Sequence, residues 1–176
     1  LLDGKNFRDG KSTLAHEIYL AFRGQTSFGS RLTPNFQGVA GGFPGGVLAG
    51  TGSVGTNVVV AAGGTLSPGG KDGSVGTLTI GGHLVVAGAS LRIELADAGT
   101  FDQVVVEGDA DVDDMAVEVM TTDGYSPASS ASFPVLTATG GLAATNVTVT
   151  RGYTIAVEGQ SLVLRPVPTG MIIIVR

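Results

Sequence analysis

Three carboxylates on alternate positions, Asp109, Asp111 and Asp113, come nearest to a chemistry in this 176-residue chain. Glu107 and Asp114 extend the run. An Asp-x-Asp-x-Asp pattern gathers hard oxygens in the way a calcium loop opens. The helix–loop–helix type of calcium loop needs Gly at its sixth place and a bidentate Glu at its twelfth. Counted from Asp109, those places hold Asp114 and Met120, so that type fails. On a strand, alternate residues share a face, which would put the three acids outward around inward Ala110 and Val112. Like charges so placed repel, and Ca²⁺ would relieve them. The competing reading is a solvated acidic edge that discourages pairing between sheets. No cofactor other than this candidate Ca²⁺ is expected.

The remaining reactive groups are scattered. Asp9-Gly10-Lys11-Ser12-Thr13 looks like the end of a phosphate-binding loop, but such a loop needs Gly, four residues and then Gly-Lys-Ser/Thr. Gly4 is one residue too far back and no strand precedes it, so the segment reads as a helix N-cap. Arg92 and Glu94 alternate on one strand face and read as an exposed ion pair of little energetic weight. Glycosidases need two carboxylates converging in a cleft, and no long loops exist here to build one. His16 reads as a helix-face residue and His83 as an outward strand residue, neither with a nucleophile beside it. Asn146-Val147-Thr148 fits a glycosylation sequon, and reads as an accident of a Thr-rich strand. The chain has no Cys, which removes disulfides, thiolate metal sites and Cys nucleophiles together. No catalytic residue is expected, and the chain does not read as an enzyme.

The elements that would carry these residues are strands. Gly supplies 29 residues, well above the usual share of about 7%. Apolar residues are 43%, charged residues 14% and Trp is absent, which excludes a disordered polar chain. Gly has no three-residue period, so collagen is excluded. No apolar run approaches the ~18 residues of a membrane helix. Residues 1–45 read as a short helix, with Leu14, Ile18, Tyr19 and Phe22 at helical spacing, followed by a glycine-rich arm carrying Phe28, Phe36 and Phe43. From 46 to 165, short β-branched runs alternate with Gly-rich corners: VGTLTI at 75–80, HLVVAG at 83–88, SLRIEL at 90–95, QVVVEG at 103–108, MAVEVM at 115–120. Small corners and few long crossovers favour an all-β solenoid over the alternative, a β-sandwich. Residues 166–176 form a last zone, in which Pro166 and Pro168 precede an apolar run.

Repetition links these runs. Val58-Val-Val-Ala-Ala-Gly-Gly-Thr-Leu leads into Gly76-Thr-Leu-Thr-Ile-Gly-Gly-His-Leu-Val-Val-Ala-Gly-Ala-Ser-Leu-Arg-Ile-Glu-Leu95. This stretch resembles the autotransporter-associated β-strand repeat, also called the passenger-associated transport repeat, of bacterial surface proteins. Phe101-Asp-Gln-Val-Val-Val-Glu-Gly and Gly152-Tyr-Thr-Ile-Ala-Val-Glu-Gly resemble the segment that usually follows those repeats. The likeness covers about residues 46–165. It implies a single-stranded right-handed β-helix, export, and display on the cell surface or outside the cell, and it brings no catalytic residue with it.

Charge and termini set the expected partners. Net charge is −5, and ten of the fifteen acids lie between Glu94 and Asp123. Nucleic acid rewards clustered Lys and Arg, and no such stripe exists. The chain opens on Leu1, as expected of a processed or partly read polypeptide. Met171, Ile172, Ile173, Ile174 and Val175 are too few to span a membrane, but suit a strand added to a sheet, either this chain's own or a neighbour's. Uncapped solenoid ends template stacking, and contacts that do not close generate filaments. The expectation is a non-catalytic structural protein that forms a homo-polymer, a fibre or surface layer, through its terminal segments. The alternative is an adhesin-type module for glycans. Sugar binders generally present aromatic platforms, and three Tyr without Trp offer little of one.

Overall fold

A computed structural model describes residues 27–28, 39–40, 47–55, 57–69, 74–122 and 124–168. Among them there is no helix, and the strands fall into three sheets. The N-terminal helix expected before residue 27 lies outside the described residues, as do Phe36, Phe43 and 169–176.

Alternation of apolar and polar residues makes each run a strand with one buried face. The first sheet is β1 (Ser27–Phe28), β3 (Val47–Gly50), β6 (Thr65–Pro68), β9 (Ser90–Leu95), β12 (Ala116–Thr121) and β15 (Thr148–Val149), in that spatial order. The third is β2 (Val39–Ala40), β5 (Asn57–Val60), β8 (Leu84–Ala87), β11 (Ala110–Asp113) and β14 (Leu142–Thr145). The second runs from β4 (Gly52–Val54) through β7 (Thr77–Ile80), β10 (Gln103–Val106) and β13 (Phe133–Ala138) to β17 (Ser161–Pro166) and β16 (Tyr153–Glu158). From β4 to β15 the chain visits the second, third and first sheets in constant order. Each such passage, a rung, lies parallel on the one before.

The repeat that aligns the rungs is 26 residues, the separation between Asn57 and His83, His83 and Asp109, and Arg92 and Glu118. The last rung is longer, and Asp113 meets Thr145 at a separation of 32. Apolar residues therefore stack on apolar residues. Val58, Leu84 and Ala110 form one inward column and Val60, Val86 and Val112 another, all at 2% exposure or less. Burying each large aliphatic side chain contributes about 1.5–3 kcal/mol, so these columns hold the sheets together.

The corner between the third and first sheets explains why Gly recurs. Gly63, Gly88, Asp114 and Asn146 occupy it in successive rungs, with φ of 79°, 68°, 49° and 51°. A left-handed residue is required there, and after Gly the types that tolerate it best are Asn and Asp. Asp114, read in the sequence as part of the acidic run, is thus a corner residue.

The C-terminal end departs from the pattern. β17 pairs antiparallel with β13 through a register shift between Pro134 and Leu136, and β16 pairs antiparallel with β17. This hairpin, turning at Gly159 with φ 61°, covers the end of the second sheet. It is a departure from the uniform strand-on-strand body expected over 46–165.

Candidate functional site

Of the residues singled out by type and spacing, Asp109, Asp111 and Asp113 are placed on the outward face at β11, alternating with buried Ala110 and Val112. Their neighbours on the sheet decide what they can hold. Asp109 follows His83 of the rung before, with His83 Nδ1 at 3.2 Å from its Oδ2. Asp113 accepts a hydrogen bond from the Thr145 hydroxyl of the rung after. Asp111 stands between Val85 and Ala143. Alternate positions on a strand are separated by about 6.5–7 Å, too far for one ion to gather three carboxylates along it. Among the described residues no group of three or more His, Asp or Glu side chains is arranged to hold one metal ion.

His83 takes part in a ladder that runs along the corner between the second and third sheets. Asn57 Oδ1 accepts the His83 backbone N–H at 2.8 Å, and His83 Nδ1 accepts the Asp109 N–H at 3.0 Å. Each side chain ties its own corner to the backbone of the next rung.

Arg92 does not pair with Glu94 as their spacing suggests. Its guanidinium reaches across to Glu118 of the next rung, with Nη2 3.3 Å from Oε2. Both side chains are about half exposed, so the pair is worth a fraction of a kcal/mol. Glu94 is left partly buried, and its Oε2 has no partner among the described residues. Burial raises its pKa, opposed by the charge of Arg92.

The residue that sequence reasoning missed is Asp102, the buried charged residue of the described core, at 1% exposure. It stands at the corner where the first sheet hands the chain to the second, beside the edge-to-face pair Phe101 and Phe133. Its Oδ1 accepts the Gly76 N–H of the preceding rung at 2.7 Å, and its Oδ2 accepts the Glu94 N–H at 3.0 Å. Gly69 makes room for it: with φ 88°, a Cβ there would lie 2.6 Å from Asp102 Oδ1 and 2.3 Å from the Ser74 carbonyl. Desolvation pushes the Asp102 pKa up to about 7, aided by the Glu94 charge and opposed by the two N–H bonds. With both oxygens engaged by backbone, the carboxyl acts as a clamp between rungs. One signal in the sequence could have found it, the 26-residue alignment that sets Asp102 against Gly76.

The assembly residues proposed from sequence cannot be joined to these. Phe28 falls on β1, where only the backbone pairing is described, and Phe36, Phe43 and Met171 to Val175 lie outside the described residues. A small apolar cavity of about 20 Å³ lies beside β3, β4 and β7, lined by Leu48, Val54 and Leu78 with intervening small residues. It holds no ionisable group. No protein-family model matches the chain, and no curated protein matches it.

Proposed function

We propose that this chain is a non-catalytic structural module of an exported surface protein, folded as a single-stranded right-handed β-helix and assembling into a fibre or layer through its terminal segments. One observation carries the reading: the rungs stack in register with apolar columns inside, while the polar side chains at the corners bind backbone of adjacent rungs. Asn57, His83 and Asp102 all do so. Side chains committed to holding the stack together support a scaffold. The surface assignment rests on the resemblance of residues 46–165 to autotransporter-associated repeats.

Negative-stain electron microscopy of the natively purified protein tests this directly. Regular filaments or sheets are expected. Discrete particles at every concentration would overturn the assembly reading and favour the adhesin, which glycan-array binding would then address.

A further inference from the structure

Among the described residues the last rung is covered over one of its sheets and open over the other two. In the rung before it, the inward residues Ala110, Val112, Met115 and Val117 are all at 2% exposure or less. Their counterparts one rung on, Leu142, Ala144, Val147 and Val149, are only partly buried. Over the second sheet the hairpin supplies Leu162 and Leu164, and Leu136 and Ala138 beneath it are fully buried. Among the described residues β14 and β15 are the terminal strands of their sheets. The N–H groups of Thr148 and Thr150 donate back to Met115 and Val117, at 2.9 and 3.0 Å. The N–H and C=O of Val149 between them must point the other way, to the open side.

We propose that this open β14–β15 edge is the seat for the apolar segment 171–175 of a second copy of the chain. The inference rests on the assembly reading above and names the acceptor that reading lacks. The edge from Leu142 to Thr150 carries no charged residue, and neither does the run Met171-Ile-Ile-Ile-Val175. A strand laid there would satisfy the free backbone groups and cover the exposed inward residues with alternate side chains, which is how strand addition gains both affinity and register.

The topology selects a second copy over the chain's own tail. β17 lies between β13 and β16, so residues 150–152 must climb from β15 past the level of β17 to reach β16. The Val167 N–H donates to the Gly152 carbonyl at 2.8 Å, fixing the exit of β17 against that connection. To reach its own β15 edge, the chain beyond Pro168 would have to cross this connection, and folds avoid such crossings. A segment arriving from another molecule has no such connection to cross. Donor and acceptor are different surfaces, so the contact is heterologous and propagates.

The test uses two variants and their mixture, followed by sedimentation velocity. Deleting Met171–Arg176 removes the donor. Val149→Pro removes the outward N–H of the acceptor without touching a ladder bond. Each variant alone is expected to lose all species larger than the monomer. Mixed in equal amounts, they are expected to form a dimer that grows no further, because one supplies the donor and the other the seat. A mixture that stays monomeric, or a deletion variant that assembles as the full chain does, overturns the proposed seat while leaving assembly standing. A full chain that is monomeric throughout overturns the assembly reading itself. Circular dichroism confirms that each variant keeps its strands before the result is read.

Discussion

Asp102 keeps its carboxyl beneath the surface with two N–H groups against it, and its pKa of about 7 sits above the ~3.9 of an unfolded chain. A raised folded-state value means that the stability contribution is fully present below about pH 4 and is lost as pH rises toward 7. Glu94, raised by its own burial, acts in the same direction. Asp97 and Glu158 are held low, by the Gly99 N–H and by Arg165 respectively, so they withdraw support only in stronger acid. The melting temperature is therefore expected to fall between pH 5 and pH 8 by on the order of 5 °C, a shift of 1–2 kcal/mol in a chain of this size. Differential scanning calorimetry of the Asp102→Asn variant should show that fall largely abolished, and an unchanged slope would refute the assignment. Gly69→Ala places a methyl group against the Asp102 carboxyl and forces a left-handed residue, so a loss of roughly 1–3 kcal/mol is expected in urea titration. The acidic row is a different case. Asp109, Asp111 and Asp113 share a face as their spacing predicts, yet each has its own neighbours. Millimolar Ca²⁺ is expected to move the melting temperature no further than NaCl of equal ionic strength, and a rise removed by Asp111→Asn would establish a site.

At the scale of strands, the runs that are β-branched and alternating were legible. Ser90–Leu95 is a strand over those same residues, and its inward members Leu91, Ile93 and Leu95 are fully buried. Ile93→Ala is expected to cost about 2–5 kcal/mol in denaturant unfolding, while Val85→Thr on the outward face stays within about 0.5 kcal/mol. Thr65–Pro68 and Leu142–Thr145 are strands that the sequence does not announce, because Ser, Pro and Ala in them have little strand preference of their own. Their neighbours impose it, since each lies parallel against a strand already in place. The closing hairpin was hidden differently: its two runs read like every other pair, and only their antiparallel direction sets them apart.

The described body from β4 to β12 is organised by a 26-residue period, which the sequence carries only faintly. The columns keep an apolar residue at each inward place but rarely the same one, as with Val58, Leu84 and Ala110. A tandem duplication of residues 78–103 adds a complete rung and is expected to fold, with a higher strand signal in circular dichroism and a two-state melt. Inserting only half that length would put inward residues outward and should yield insoluble protein.

The same stacking gives the molecule a grain. Among the described residues the strand ladders bond each rung to the rungs on either side of it. Tension applied along the stacking direction therefore meets one interface at a time, as in a zip. An optical trap pulling from both ends should record a sawtooth whose spacing is one rung, roughly 90 Å of extended chain. The antiparallel hairpin at the C-terminal end is peeled from β13 under the same load, and should yield as an event of its own length.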